Sequence, residues 1–417
     1  MFHIDDEHFT AAWLAQAESA FLSSGVLDGG PGTRVAACLE DPALLLALCL
    51  HCKREGKSFF PLPSGSPFEA ALRQAKRGGC HLLVHRSPDR VTRLDGGEAD
   101  AEASLIQTSS GTTGEPKVIA RTWASIDCEI ASYTASFRAA ADMTPLVACP
   151  VNHSYGLISG VLAAIARGKE PVVIHNLNPK YIIRKMTETE RPLLYASPVL
   201  IHTVSLLYPR DRKLHAVMTS GTNMRLPLFE HLKARTTFVF QQYGCSETGC
   251  ISVSENPSDP SDIGFALPHF RLEAGESETS PAEIVVHDGA ETIRTRDLGY
   301  FGPSGSLRIV SRIDDMINVA GVNVYPVEVE NVVLELEGVE DAVVFKRENT
   351  LGHTQVWLRY VSGGKVTPEQ VKQWCSTELT SHQRPFRIEE VAEIRRMPNG
   401  KINRRALAQE EPLNVSP

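Results

Sequence analysis

The stretch Thr108-Ser-Ser-Gly-Thr-Thr-Gly-Glu-Pro-Lys117 directly follows a short apolar strand predicted at residues 104–107. Its two glycines let the backbone turn tightly and present N–H groups, its hydroxyls add donors, and Lys117 supplies a positive charge. This combination is typical of a loop that binds phosphate. It is not a Walker A loop, because Pro116 stands where that motif needs a glycine directly before the lysine. For this segment taken alone, a solvated turn is the alternative.

Two later segments also place polar side chains after predicted strands. Gln241-Gln-Tyr-Gly-Cys-Ser-Glu-Thr-Gly249 offers an aromatic face at Tyr243 and a carboxylate at Glu247 that can hold magnesium beside phosphates. Thr295-Arg-Asp-Leu-Gly-Tyr300 contains Asp297, whose carboxylate can accept two hydrogen bonds from a ribose diol. Each segment is weak evidence alone, since common turns have similar sequences. Their order along the chain favours a nucleotide site.

The hydrophobic pattern outside these segments alternates between strands and helices, which predicts an α/β fold with mostly parallel sheets. Helices are predicted at residues 9–21, 42–52, 68–76, 156–166 and 180–190, and strands at 34–38, 58–62, 81–84, 145–149, 171–175, 214–219 and 237–241. Beyond residue 256 the chain is rich in Pro and Ser, and short alternating strands at 283–287 and 307–310 predict a small β subdomain.

A second domain is predicted after residue 312, where the pattern changes to a compact α+β unit. Its helices are expected at residues 327–336 and 368–379, and its strands at 339–346, 354–361 and 387–394. The expected organisation is therefore a large N-terminal domain of residues 1–313 and a small C-terminal domain of residues 314–417.

The amino-acid composition argues against several classes of protein. The 417 residues carry 42 Lys and Arg against 50 Asp and Glu, a net charge of −8, so no nucleic-acid partner is expected. The acidic N-terminus is unlike a signal peptide, and the longest apolar run, residues 43–50, is too short for a membrane span. Nine Cys in mostly apolar settings favour reduced thiols and a cytoplasmic location. Cys49-Leu-His-Cys52 has a metal-like spacing, but its helical apolar pattern favours core packing.

Five motifs in order resemble those of the adenylate-forming enzymes, which include acyl- and aryl-CoA synthetases, adenylation domains of nonribosomal peptide synthetases, and luciferases. Besides the three segments above, Ser311-Arg-Ile-Asp-Asp-Met-Ile-Asn-Val-Ala-Gly-Val-Asn-Val-Tyr-Pro-Val-Glu-Val-Glu330 is similar to the family's hinge and thioesterification segment. Met397-Pro-Asn-Gly-Lys-Ile-Asn-Arg404 is similar to its catalytic-lysine loop. The chain departs from the family in the short region before the phosphate loop, the compact stretch between Gly249 and Asp297, and Arg296 in place of glycine.

The resemblance implies ATP-dependent activation of a carboxylic acid to an acyl-AMP, with release of pyrophosphate. Transfer to a pantetheine thiol, of coenzyme A or of an acyl or aryl carrier protein, would follow. Lys401 would bridge the carboxylate and the α-phosphate, Glu247 would hold Mg2+, and the small mobile domain would rotate about Asp314. Ala320, Gly321 and Val322 would line the pantetheine tunnel. The nucleotide residues implied are Thr108, Ser109, Ser110, Gly111, Thr112, Thr113, Gly114, Lys117, Gln241, Tyr243, Gly244, Ser246, Asp297 and Arg312.

The class of acid substrate is restricted by the segment Pro150-Val-Asn-His-Ser-Tyr-Gly-Leu157, which lies where the family places its acyl pocket. No acidic residue occurs from 145 to 167, so the ammonium of an α-amino acid would be buried without a partner. An aryl or fatty acid is expected, with His153 and Ser154 on one pocket wall and Gly221 and Thr222 on the other. Three alternatives remain: an α-amino-acid-activating enzyme, a kinase or NTPase that releases ADP, and a noncatalytic nucleotide-binding module.

Overall fold

The computed structural model describes residues 1–109, 117–221, 224–319, 322–348, 354–397 and 402–410. Within these ranges the strands form four sheets, of thirteen, six, three and two strands. The two largest sheets are built by residues before 313, and the other two by residues after it. Within the same ranges, no helix is both long and apolar enough to cross a bilayer.

The six-stranded sheet has a parallel centre, since β3 pairs in parallel with β4 and with β5, and β4 pairs in parallel with β7. Its apolar strands have nearly every side chain buried, as a parallel sheet covered on both faces requires. In chain order its strands are β3 (Arg34–Leu39), β4 (Ser58–Pro61), β5 (Leu82–Arg86), β6 (Val91–Arg93), β7 (Ser104–Ser109) and β8 (Lys117–Thr122).

The thirteen-stranded sheet is parallel on one side of β13 (Thr236–Cys245), except for an antiparallel pair at its outer edge, and antiparallel on the other side. The predicted β subdomain forms the antiparallel side, which is joined to the rest through β14 (Gly249–Ser254) and β15 (Asp262–Ala266). Its strands in spatial order are β16 (Phe270–Glu273), β17 (Ala282–Asp288), β18 (Glu291–Phe301), β19 (Leu307–Arg312), β15 (Asp262–Ala266), β14 (Gly249–Ser254), β13 (Thr236–Cys245), β12 (Leu214–Thr219), β11 (Pro192–Tyr195), β9 (Thr144–Val147), β10 (Val172–Val173), β1 (Phe2–Ile4) and β2 (Glu7–Phe9).

The helices of the large domain pack against these two sheets. Several begin with a side-chain cap followed by proline, as at Asp41-Pro42, Asn178-Pro179 and Ser197-Pro198, which satisfies a free backbone N–H and fixes the first turn. They are α1 (Ala11–Ser23), α2 (Pro42–Arg54), α3 (Phe68–Arg77), α4 (Trp123–Ser136), α5 (Ala163–Ala166), α6 (Pro179–Glu188), α7 (Pro198–Leu207) and α8 (Leu226–Arg235), with a 3-10 turn (Arg138–Ala140) and a π-helix (Tyr155–Leu162).

The C-terminal unit has its own core, formed by apolar residues such as Val344, Leu358 and Tyr360. Its three-stranded sheet pairs β22 with β23 antiparallel and β23 with β24 in parallel. A separate hairpin of β20 and β21 precedes it. The elements are β20 (Ile317–Val319), β21 (Val322–Val324), α9 (Pro326–Leu334), β22 (Asp341–Glu348), β23 (Thr354–Val361), α10 (Pro368–Glu378), β24 (Arg387–Glu390) and α11 (Arg404–Gln409).

The cysteines of the metal-like spacing are core residues. Cys49 and Cys52 are both buried in α2, and burial raises the pKa of the Cys49 thiol to about 12. A thiol with so high a pKa stays protonated and is a poor metal ligand at neutral pH. The prediction that these two residues serve packing is therefore consistent with where they lie.

Candidate active site

The predicted phosphate loop connects two paired strands. Strands β7 and β8 are antiparallel and Ser109 pairs with Lys117, so the two ends of the loop lie side by side. Thr108 is half-buried opposite Val118, and Lys117 is exposed at the start of β8. The other predicted phosphate ligands, Ser110, Gly111, Thr112, Thr113 and Gly114, lie outside the described residues.

Glu247 lies at the tip of the tight hairpin between β13 and β14. Gly244 and Gly249 make this turn possible: a Cβ on Gly244 would lie 2.0 Å from the Gly249 carbonyl oxygen, and Gly249 has φ +76°. Ser246 and Glu247 are half-buried. Within the described ranges no side chain makes a hydrogen bond or ion pair with the Glu247 carboxylate. Such an unengaged carboxylate fits the role of a Mg2+ ligand.

A buried ion pair that no motif indicated lies beneath this hairpin. Arg121 on β8 and Glu129 on α4 are 7% and 1% exposed, and Nη1 and Oε2 are 2.7 Å apart, though not aligned as a hydrogen bond. The Cys250 N–H donates to Glu129 Oε1 at 2.7 Å. Burial raises the pKa of the Glu129 carboxyl, and the Arg121 charge partly offsets this rise. The pair thus ties the strand that leaves the phosphate loop to the hairpin that carries Glu247.

Three of the predicted nucleotide residues meet in one cluster. The Tyr243 hydroxyl donates to Asp297 Oδ2 at 2.7 Å. Arg312 on β19 lies directly across from Asp297 on β18, with Nε and Oδ1 3.5 Å apart. Burial raises the pKa of Tyr243 well above its usual value, so this phenol stays protonated as a donor at neutral pH. A cross-strand pair of aspartate and arginine beside a tyrosine ring suits a ribose and its base.

The amide nitrogen of the Gln241 side chain is already hydrogen-bonded within the protein. Its Nε2 donates to the Asp262 carbonyl at 2.9 Å, and the residue is 6% exposed. Only its Oε1 is left to accept a hydrogen bond from a base. The predicted contact between Gln241 and adenine therefore depends on this oxygen.

The predicted acyl-pocket segment leads into the π-helix (Tyr155–Leu162), an unusual element that is frequent at functional sites. Ser154 Oγ donates to Gln107 Oε1, and Gln107 Nε2 donates to the Asn152 carbonyl at 3.2 Å. Gln107 directly precedes Thr108, so it connects the acyl segment to the phosphate strand. Sequence reasoning missed this role, because Gln107 belongs to no motif.

His153 is exposed at its surface edge but crowded by protein on its other sides. The resulting loss of solvation lowers the pKa of His153, and no charged group among the described residues contributes to this shift. The imidazole is therefore mostly neutral at pH 7, and in the part of the chain that the structure describes no carboxylate contributes to its pKa. Tyr155 connects this segment to β12, the strand that precedes the other predicted pocket wall, because its hydroxyl donates to the Met218 carbonyl at 2.6 Å. Gly221 is exposed with φ +88°, and Thr222 lies outside the described residues.

A buried polar network lies behind the π-helix. Tyr133 Oη donates to Gln242 Oε1 at 3.0 Å and lies 3.1 Å from Tyr195 Oη, and Gln242 Nε2 donates to Ser159 Oγ at 3.0 Å. Because each partner comes from a different element, sequence spacing could not indicate it. The network fixes the π-helix against β11 and β13.

At the predicted hinge, Asp314 is engaged by Arg296, and Arg405 lies 3.7 Å away. Val322 begins β21 and is exposed, whereas Ala320, Gly321 and Lys401 lie outside the described residues. Close to Lys401 in sequence, Arg404 is anchored by Glu330 at 2.7 Å and by Asp315 at 3.3 Å.

Comparison with known proteins agrees with this geometry. Residues 85–287 match the AMP-binding enzyme family, and residues 328–401 match the AMP-binding enzyme C-terminal domain. The chain belongs to the AMP-binding enzyme family. One relative, a 3,4-dihydroxybenzoate–[aryl-carrier protein] ligase of Bacillus anthracis, is 39% identical, over 91% of this chain and 92% of its own length. A 2-succinylbenzoate–CoA ligase of Lactococcus lactis is 24% identical, over 74% of this chain and 71% of its own length.

Solved structures of AMP-binding enzymes share the fold. The o-succinylbenzoate CoA synthetase of Bacillus subtilis, in complex with its acyl-adenylate, aligns with TM-score 0.81 at 20% identity, over 98% of this chain and 95% of that chain. ATP-bound MatB from Rhodopseudomonas palustris aligns with TM-score 0.81 at 19% identity, over 97% and 95%. The predicted resemblance and fold class are therefore confirmed.

This AMP-binding enzyme is an AMP-forming acid–thiol ligase. It uses ATP and Mg2+ to activate an aryl or acyl acid, and its thiol acceptor is coenzyme A or a carrier protein. The kinase and noncatalytic alternatives are thereby set aside. The roles of individual residues and the domain boundary at 313/314 stay predictions.

Proposed function

We propose that this enzyme adenylates a hydroxylated aromatic acid and transfers it to the phosphopantetheine thiol of an aryl carrier protein. The choice of acid rests on the absence of acidic side chains from residues 145–167, and on the pKa of His153, which no charged group among the described residues shifts. An α-ammonium buried there would lack a partner, at a cost of several kcal/mol. The 39% identical relative is named for a dihydroxybenzoate and an aryl carrier protein, which supports the proposal.

In the first half-reaction the protein must hold two anions together and favour departure of pyrophosphate. The loop that begins at Thr108 and Ser109 and ends at Lys117 would bind the β- and γ-phosphates. Glu247 would hold Mg2+, which neutralises phosphate charge. Tyr243 would stack on adenine, Gln241 Oε1 would accept from the base, and the ribose hydroxyls would bind the cross-strand pair of Asp297 and Arg312.

The acid would lie between the π-helix and the end of β12. The neutral imidazole of His153 can donate to or accept from a ring hydroxyl. Ser154, whose hydroxyl is held by Gln107, would fix the distance between the ring and the α-phosphate. A plain alkyl chain would leave these polar groups unpaired, at a cost that favours a hydroxylated ring.

The second half-reaction would follow rotation of residues 314–417 about Asp314, which exchanges the loop of Lys401 for the hairpin of β20 and β21. Val322, exposed at the start of β21, would then face the pantetheine thiol. A cytoplasmic location is part of the proposal, because the structure describes nine free cysteines, most of them buried.

Acid-dependent exchange of pyrophosphate into ATP tests the first half. Dihydroxybenzoates, benzoate, a medium-chain fatty acid and α-amino acids are supplied one at a time. Exchange is expected with hydroxylated benzoates, with about a hundredfold less for α-amino acids if the missing counter-ion costs about 3 kcal/mol. Strong exchange with an α-amino acid alone would overturn the choice of acid.

The acceptor is tested with the best acid from that panel. Purified enzyme is given coenzyme A or a phosphopantetheinylated aryl carrier protein, and thioester is measured by mass spectrometry. We expect loading of the carrier protein. An apo carrier protein, which lacks the thiol, is the matched control. Efficient formation of aryl-CoA without loading of the carrier protein would contradict the proposed acceptor while leaving the proposed acid intact.

A further inference from the structure

Two histidines and a glutamate that belong to none of the motifs above converge at the edge of the large sheet. The Glu170 Oε2 atom lies 3.3 Å from His8 Nε2 and 3.6 Å from His3 Nε2. The ligand atoms of all three side chains fall within 4.8 Å of one another. The side chains are 30% to 48% exposed, so an ion in solution can reach them.

The backbone fixes the two imidazoles relative to each other. His3 and His8 are direct cross-strand partners in the hairpin of β1 and β2, which is closed by the two-residue turn Asp5-Asp6. The second pair from such a turn is a non-hydrogen-bonded pair, in which side chains approach most closely. Accordingly the rings stack with centroids 4.3 Å apart and an angle of 15° between them. Both Nε2 atoms lie within 3.6 Å of the same Glu170 oxygen, and because a metal ion must lie in the plane of each imidazole that ligates it, binding would turn the two rings out of this stack.

The third ligand comes from a different part of the sheet. Glu170 directly precedes Pro171, whose carbonyl accepts from the His3 N–H at 2.8 Å, and β10 then pairs in parallel with β1. The amino group of Met1 contacts the other carboxylate oxygen, Oε1, and Lys185 lies near enough to His3 to lower its pKa.

We propose that His3, His8 and Glu170 form a binding site for Zn2+ or a similar divalent transition-metal ion. Imidazole nitrogens and a carboxylate are ligands that zinc prefers, and three protein ligands leave a position for water. With zinc–nitrogen bonds of about 2.0 Å, the edge of a tetrahedral site is about 3.3 Å, close to the distances of 3.3 Å and 3.6 Å seen here. A bound ion would join the hairpin of β1 and β2 to β10.

The test uses the full chain stripped of metal with a chelator, without ATP or Mg2+. Zn2+ is titrated by calorimetry, Co2+ binding is followed by absorption, and the thermal unfolding midpoint is recorded with and without Zn2+. We expect one ion per chain and a higher midpoint with zinc. His8→Asn should weaken binding at least about tenfold, since even outer-shell losses cost 10- to 100-fold at metal sites. Glu170→Gln should act in the same direction.

His287→Asn is the matched control, because His287 Nε2 also contacts a carboxylate, that of Glu273 at 3.0 Å, but without a second histidine. It should leave zinc affinity unchanged. Each variant must keep the metal-free unfolding midpoint, as expected for exposed side chains. Equal zinc affinity in the wild type and in His3→Asn/His8→Asn would overturn the site. So would a sulfur-to-cobalt charge-transfer band, which would place the ion on a thiol such as the exposed Cys128.

Discussion

The guanidinium of Arg296 holds both carboxylate oxygens of Asp314, with Nη2–Oδ1 at 2.6 Å and Nε–Oδ2 at 3.2 Å. Arg296 has φ +62°, a conformation that favours glycine, and it replaces the glycine of the motif that its segment resembles. Burial alone would raise the pKa of Asp314, but Arg296 lowers it below its usual value, so the pair is charged at neutral pH. A residue on the strand of the nucleotide cluster thus contacts the predicted hinge.

Arg296→Gly should release this contact and relieve the left-handed backbone. If rotation about Asp314 limits transfer, thioester formation should become faster by up to about fivefold, because a partly exposed ion pair contributes up to about 1 kcal/mol. Pyrophosphate exchange should stay unchanged. Single-turnover kinetics of adenylation and of thioester formation separate the two steps.

Arg294→Ala serves as the control for Arg296→Gly. Arg294 lies on the same strand, is exposed and pairs with Glu283, which also accepts from the Arg296 N–H, so this control changes the surroundings of Arg296 while leaving its side-chain contact with Asp314 in place. It should change neither step. A thioester rate that is the same in both variants and the wild type would show that the Arg296–Asp314 contact does not restrain the hinge.

Glu129→Gln should destabilise the protein, because it leaves the Arg121 guanidinium buried without its counter-charge. Loss of one partner of a buried ion pair typically costs about 3–5 kcal/mol. The free energy of unfolding, measured with urea, gives this value directly. Because Glu129 also accepts from the Cys250 N–H, the affinity for Mg2+-ATP should fall in the same variant.

A double-mutant cycle with Arg121→Met distinguishes the ion pair from the other contacts of each residue. The double variant Arg121→Met/Glu129→Gln should recover part of the stability that Glu129→Gln loses, since no unpaired charge remains buried. If the two single changes are additive, the contact at 2.7 Å contributes nothing to folding.

Much of the fold was predictable because buried parallel strands are uninterrupted apolar runs. The parallel strand at 214–219 has the predicted bounds, and so does the alternating strand at 354–361, which is antiparallel to β22 and parallel to β24. The predicted strand at 387–394 ends earlier, at Glu390, and the predicted helix at 156–166 is largely π-helical. Side-chain periodicity reports which face is buried, not the hydrogen-bond register, so it could not separate a π-helix from an α-helix.

Site residues could be predicted from the sequence where each of them stands in a motif. Contacts between residues of distant segments could not. Tyr243, Asp297 and Arg312 each stand in a motif, and the structure brings the three together, while their roles toward a nucleotide stay predictions. Glu129 lies 121 residues from its partner Cys250, and Tyr133 lies 109 residues from Gln242. No local pattern records such pairs. The contact of Arg296 with Asp314 was missed for the same reason.

Lys401→Ala should reduce pyrophosphate exchange by about 10²- to 10³-fold, because the lost interaction is charge-assisted and acts in the transition state of adenylation. Conversion of supplied acyl-AMP to thioester should remain, since the lysine loop is assigned to the first step only. Lys365→Ala, which removes an exposed lysine of the same domain paired with Glu340, should affect neither step. Equal loss of both steps in Lys401→Ala would contradict the assignment.

The affinity for the aromatic acid should not depend on pH until the pH is low enough to protonate His153. It should then fall as the pH decreases further. Its pKa lies below the usual 6.5 because of lost solvation, and a bound ring would remove more water and lower the pKa further. Binding then releases a proton, so affinity should be constant above pH 6.5 and fall by up to about tenfold per pH unit below the pKa of the free enzyme. The substrate carboxylate, with a pKa of about 4, stays charged throughout that range. Calorimetry from pH 5 to 8 measures the profile.

His153→Gln should flatten the pH profile, whereas His202→Gln, which removes another imidazole with a lowered pKa on α7, should leave the profile intact. A profile that His153→Gln does not change would remove His153 from the acyl pocket.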